Sequence, residues 1–344
     1  MSGRFARVLR GERADAPPIW LMRQAGRYHE PYRRLREQHS FETLCRTPAL
    51  AAEAAMAPVR EFDFDAAILF SDLLFPLDAL GMGLSYDDGP PKLDGPLTAE
   101  RLGRFRPLSD ALDRLTFQRE AIAATRAALP TEKGLVGFVG GPWTLFVYAV
   151  EGTHAGPLAR AKSSHQLYER FDARVTPLIG EMIRMQLAAG ADLVMVFDTA
   201  AGELPPSWFR ERVARGLTTL AETFPGRVGY YAKGMHPAHY AGSAFRDAPW
   251  AGLGFDARWD LAEELSASSQ HLRSGFVQGN FDPALLFLTG SELAVAIDKY
   301  LEPFRRLDPA ARRSWICGLG HGVLPGTPES SVRTFVRLAR EAFA

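Results

Sequence analysis

The sequence predicts an α/β fold, a single (β/α)8 TIM barrel spanning residues 1–344, with its active site at the C-terminal ends of the strands. Three observations predict it. Short apolar, β-branched or aromatic runs recur along the chain, each followed by a segment of helical character, and such alternation gives parallel strands joined by crossover helices. The runs number eight, the count that closes such units into a barrel. No glycine-rich linker or low-complexity tract divides the 344 residues, so one large domain accounts for the chain better than two. An open doubly wound sheet is the alternative.

The elements follow in order. The opening "MSGRFARVLRGERADAPP" carries arginines at 4, 7, 10 and 13 but also Glu12 and Asp15. It lacks the apolar core of a signal peptide, and the pattern reads as a surface helix rather than a transit sequence. The first strand is "PIWLM" (18–22) and the second "AAILFS" (66–71), with a helix between them from Leu50 to Glu61. The excursion "GMGLSYDDGPPKLDGPLTAERLGRF" is rich in Gly and Pro, as a long loop after a barrel strand would be. A helix from Ala111 to Ala128 leads to "LVGFVG" (135–140), and one from Ser164 to Ala189 leads to "LVMVFD" (193–198). "VGYYAK" (228–233) and "GLGFD" (252–256) come next, then a helix from Leu261 to Leu272, "FVQGN" (276–280) and "WICGLG" (315–320).

Composition removes several classes of function. Lys+Arg and Asp+Glu are both 40, so no basic excess exists to hold a nucleic acid. No uncharged apolar run is long enough to span a bilayer. Two cysteines, Cys45 and Cys317, are too few for a disulfide framework and sit in no metal-binding spacing, which fits a reducing cytosol.

A barrel places its catalytic residues at the ends of several strands. Those ends carry Arg23 and Arg27, Ser71 and Asp72, Trp143 and Tyr148, Asp198 and Thr199, Lys233 and His236, Asp256, Asn280 and Asp282, and His321. Several have a plain structural reading: Asp282 before Pro283 reads as a helix N-cap, Asp256 as structural, and Lys233 and His236 stay open. Asp72 differs, because "ILFSDLLF" places one ionisable group in an apolar stretch, where a charge is costly without a dedicated partner. Arg33, Arg34 and Arg36 read as a solvated helical face. "GLGHG" after the last strand raises a rival, a backbone phosphate site of a phosphosugar enzyme, although the Walker and dinucleotide fingerprints are absent.

Six segments, "WLMRQAGRY", "FSDLLFPLDALGM", "GGPWTLFVYAVEG", "VFDTAAGELPP", "QGNFDP" and "GLGHGVLPGTPESSV", together resemble the uroporphyrinogen decarboxylase family, in order and over almost the whole chain. The resemblance implies a cytoplasmic homodimer that converts uroporphyrinogen III to coproporphyrinogen III in tetrapyrrole synthesis, turning each acetate side chain into a methyl group without a cofactor or metal. It implies that Arg23 and Arg27 contact substrate carboxylates, within a "RQAGR" loop that includes Gln24, Ala25 and Gly26. Asp72 would meet the centre of the macrocycle, Tyr148, Thr199 and His321 would be further contacts, and Arg36 would be peripheral. Gly26 would let the backbone turn between the two guanidinium groups.

Such a substrate, with eight carboxylates, suits fixed arginine forks. The chemistry needs no electron-sink cofactor: once a pyrrole carbon is protonated, the ring cation accepts the electrons released with CO2. A carboxylate near the pyrrole N–H groups stabilises that charge as it develops. Asp72, His321, Tyr148 and an arginine-bound water remain open as proton donor. Thr199 stands where the family more often has serine, and Glu30 and Pro31 are in swapped order. Two other classes compete: a zinc-dependent corrinoid or thiol methyltransferase of the same superfamily, which would need His and Cys ligands, and a non-enzymatic tetrapyrrole carrier, which could dispense with Asp72.

Overall fold

The computed structural model describes residues 3–86, 90–241, 244–266 and 275–344. Seven parallel strands lie in sequence order in one curled sheet: β1 (Ala66–Ile68), β2 (Gly134–Gly140), β3 (Leu193–Phe197), β4 (Val228–Tyr231), β5 (Gly252–Gly254), β6 (Phe276–Phe281) and β7 (Trp315–Leu319).

Eight barrel strands are expected, and among the described residues seven regular ones form the parallel sheet. The first run, 18–22, contributes an isolated parallel bridge between Ile19 and Cys317. It nevertheless occupies the gap between β7 and β1. The Cys317 amide donates to the Pro18 carbonyl (2.9 Å) and Trp20 to Cys317 (3.2 Å), while Asp65 donates to Ile19 from the other side (2.9 Å). The ladder is short because Pro17 and Pro18 bring no N–H. In addition, the Ile19 amide donates to the Asp65 carboxylate instead of a carbonyl (2.6 Å). Arg340 on the C-terminal helix Glu329–Glu341 compensates that buried carboxylate at 2.5 Å, so closure depends on a side chain as well as on backbone pairing.

The crossover helices lie close to their expected ranges: Pro48–Phe62 and His165–Ala188. The helix expected at Ala111–Ala128 is two, Leu108–Asp113 and Thr116–Ala128. The Thr116 hydroxyl donates to the Asp113 carbonyl at the break (2.9 Å), which favours a turn there over a continuous helix. Leu261–Leu265 begins where expected; the rest of the Leu261–Leu272 expectation, from 267, lies outside the described residues. The N-terminal helix Arg4–Leu9 is only partly a surface element. Phe5, Ala6 and Val8 are buried, and Phe5 fills the space that a Cβ on Gly134 would need, at 2.2 Å. It therefore caps the N-terminal end of the barrel.

Inside the barrel, large side chains on one strand face glycines on the next. A Cβ at Gly229 would lie 2.3 Å from the Met195 sulfur, and one at Gly252 would lie 2.3 Å from the Phe276 ring. This complementarity fills the lower interior, and a large opening lies at the other end.

Candidate active site

A cavity of about 350 Å³ opens where the strands end, and each part of its wall has a local cause. The Met22–Arg27 loop leaves the barrel through Arg23, whose φ of +56° is unusual for a residue with a side chain. Gly26, expected to make the tight turn, does not adopt positive φ. Its requirement is space: a Cβ there would sit 3.2 Å from the Arg23 carbonyl oxygen. Gln24 does not line the cavity. Fully buried, its side chain accepts from the Leu21 amide (3.3 Å) and donates to the Ala66 carbonyl on β1 (2.9 Å), which ties the loop to the barrel. Ala25 and Gly26 do line the wall, as do both arginines.

Neither Arg23 nor Arg27 has a carboxylate partner for its guanidinium among the described residues, and both are exposed. This is unusual in a protein where most other arginines are paired. The glycines of "GLGHG" explain part of Arg23's course. Cβ atoms at 318, 320 and 322 would lie 2.5 Å from the Trp20 carbonyl, the Ala257 amide and Arg23 Cδ respectively. These glycines are required by packing, which removes the motif's argument for a phosphate loop.

Asp72 follows β1 and joins the cavity wall with Ser71. Its Oδ1 accepts from the Leu74 amide at 2.8 Å. Burial pushes the carboxyl upward from its ordinary range, opposed by the Leu74 hydrogen bond, the Tyr86 hydroxyl and the positive charge of Arg23. Ser71 accepts from Gln118 Nε2 (2.9 Å), leaving its own O–H free for the cavity. Tyr148 projects from the helix Pro142–Glu151, and Thr199 and His321 line the same space.

Burial, then the charges of Arg23 and Lys233, depress His321 to about 4, so its imidazole is neutral at physiological pH. Tyr148 Oη lies 2.5 Å from His154 Nδ1, and burial followed by the Asp72 charge raises the Tyr148 phenol. Desolvation, Arg23 and Lys233 lower His154. Among the described residues, Arg23 and Arg27 bring positive charge to the cavity and Asp72 is the one carboxylate on its wall.

Other strand-end residues face elsewhere. Trp143 is fully buried, as is Asp198, which accepts from the Thr144 amide at 2.7 Å. His236 caps the short helix Pro237–Tyr240. Asp256 accepts from Gly234 (2.6 Å) and pairs with Arg258 (2.6 Å). Asn280 donates to the Asp256 and Trp259 carbonyls, and Asp282 caps Pro283–Phe287. Arg36 is exposed, donates to the His39 carbonyl (2.8 Å), and does not line the cavity, although its charge faces the Tyr32 phenol.

Sequence reasoning missed an aromatic wall. Tyr32 and Phe70 are 5.6 Å apart, Phe138 and Phe197 5.8 Å, Phe197 and Tyr231 6.2 Å, and Tyr231 and His321 6.1 Å. Phe138, Phe197 and Tyr231 sit within two positions of their strands' ends, a signal that polarity alone does not reveal. His154 had no motif to mark it.

Both cysteines are buried and neither lines the cavity, so a His/Cys zinc site has no ligand set there among the described residues. One cluster of potential ligands, His29, Glu61 and Glu329, lies elsewhere. Its carboxylates already serve Arg333 and the Glu30 amide, and it links three helices.

The sequence profile of the uroporphyrinogen decarboxylase family matches residues 2–342. The uroporphyrinogen decarboxylase of Chloroflexus aurantiacus is 36% identical over 360 residues, covering 99% of this chain and 96% of that protein. The enzyme of the same name from Rhodospirillum rubrum is 35% identical, covering 98% and 96%. Among solved structures, a methyltransferase from Methanosarcina mazei superposes with a TM-score of 0.74 at 19% identity, covering 99% of this chain and 98% of that one; at that identity the likeness shows the fold alone. A family profile spanning nearly every residue, and relatives matched almost end to end, place this chain in the uroporphyrinogen decarboxylase family.

Proposed function

We propose that the chain decarboxylates uroporphyrinogen III to coproporphyrinogen III in this cavity, without a cofactor, as a cytoplasmic homodimer. The observation that carries the site assignment is the pairing of two guanidinium groups at the mouth, neither with a carboxylate partner among the described residues, with the carboxylate of Asp72 on the wall. A polyanion whose centre presents pyrrole N–H donors is complementary to that arrangement. The aromatic wall would pack against the macrocycle face.

Asp72 would accept hydrogen bonds from the pyrrole N–H groups and stabilise the cation formed when a pyrrole carbon is protonated. The C–C bond to the acetate carboxylate then breaks, CO2 leaves, and its electron pair neutralises the ring as an exocyclic methylene. Protonation of that methylene with loss of the added ring proton gives the methyl-bearing pyrrole. Arg23 and Arg27 would hold other carboxylates of the substrate. Thr199 and Tyr148 offer hydroxyls, and His321 would act as a neutral hydrogen-bonding ring, since its imidazolium is a small minority at neutral pH.

Anaerobic incubation of metal-free protein with uroporphyrinogen III, followed by oxidation and chromatography, tests the reading. It predicts successive porphyrins with seven, six, five and four carboxylates. Unchanged substrate would reject the activity, and light scattering in solution tests the dimer.

A further inference from the structure

Behind the cavity wall, a tyrosine that does not line the cavity faces Asp72. Tyr86 leaves the first strand of a small antiparallel ribbon, Leu84–Ser85 paired with Lys92–Leu93. Its ring packs against Phe41 (4.9 Å) and Phe75 (6.0 Å). Its hydroxyl is buried and, among the described residues, no group meets it in full hydrogen-bond geometry. An unsatisfied buried hydroxyl costs about 1–3 kcal/mol, so a phenylalanine would pack as well at less cost. The carboxylate of Asp72 is the group it faces, and only Oδ1 of that carboxylate accepts a backbone amide.

We propose that Tyr86 is a positioning residue for Asp72: its phenol donates to the carboxylate oxygen that the Leu74 amide leaves free and fixes the orientation Asp72 presents to the cavity. The two donors would then hold Asp72 from opposite sides, one from its own turn and one from the ribbon. The other groups whose charges reach Asp72 are Arg23 from the loop after residue 22, Tyr148 from Pro142–Glu151 and Cys45 from Phe41–Arg46. Glu42 also faces Tyr86. Cys45 and Tyr148 stay protonated through burial, which leaves Arg23 and Tyr86 as the groups that favour the charged form of Asp72, together with the Leu74 amide.

The proposal rests on Asp72 as the group that meets the substrate, so the test has one arm without substrate. In protein labelled with 13C at the aspartate carboxyls, Asp72 is assigned by its loss in Asp72→Asn, and its titration is compared with that of Tyr86→Phe. Losing a donor to the charged form should move the Asp72 titration to higher pH by about half a unit or more. The acid limb of kcat should move by the same amount, with KM at neutral pH unchanged. If Tyr86→Phe does not fold, 3-fluorotyrosine placed at position 86 is a stronger donor and should move the titration to lower pH. A titration that superposes on the wild-type curve overturns the pairing, whether or not the protein turns over uroporphyrinogen. A shifted titration with an unmoved kcat profile overturns the role in turnover.

Discussion

The side chain of Arg23 lies directly over Gly322: a Cβ at position 322 would come within 2.5 Å of Arg23 Cδ and 3.1 Å of its Cβ. The end of the barrel therefore fixes the course of an arginine near its beginning. Gly322→Ala should displace Arg23 and raise KM about tenfold or more, a loss of about 1.4 kcal/mol, with a normal circular dichroism spectrum. Steady-state kinetics of the variant checks this.

Arg23→Ala and Arg27→Ala should each weaken substrate binding by about 1.5–3 kcal/mol, because a charge-assisted contact to a carboxylate is lost. Neither guanidinium is ion-paired in the free protein among the described residues, so Tm should barely change. Thermal melts and kcat/KM measured together separate a binding role from a structural one.

Thr199→Ser should be nearly silent, since it keeps the hydroxyl that lines the cavity. Thr199→Val is close in size but has neither donor nor acceptor, and should be slower. Equal activity of the two would assign position 199 to packing.

Asp72→Asn keeps size and one acceptor but removes the charge. It should lower kcat about 10²-fold or more while leaving KM comparatively unchanged, because the positive charge it offsets arises only after a pyrrole carbon is protonated. A raised KM with normal kcat would make Asp72 a uniform binding contact instead.

His321 titrates at about 4 in the folded protein against about 6.5 in an unfolded chain. Between these values the unfolded state binds more protons, so His321 makes the fold less stable as pH falls through that window. His321→Gln should therefore flatten the acid-side decline of Tm between about pH 6.5 and 4, read from melts across that range.

The sequence alone determined the alternation of strand and helix, the order of the strands and the positions of Asp72, Tyr148, Thr199 and His321 after them, because hydrophobic period and strand length are local properties. It also marked Arg23 and Arg27, whose spacing within "RQAGR" is visible without coordinates. Tertiary structure decided what depends on groups distant in the chain. Segment 18–22 is a bridge rather than a full strand because Asp65 takes the Ile19 amide and the prolines offer none. The left-handed residue of the loop is Arg23 and not Gly26, and Gln24 turns into the barrel to meet Ala66. Asp198, Asp256 and Asn280 stand at strand ends as the cavity residues do, yet partners that follow the neighbouring strand satisfy them. A strand's pattern fixes which residues reach its end, but whether a polar side chain there is consumed by a neighbour or left facing the cavity depends on contacts between segments up to hundreds of residues apart, and those no local pattern encodes.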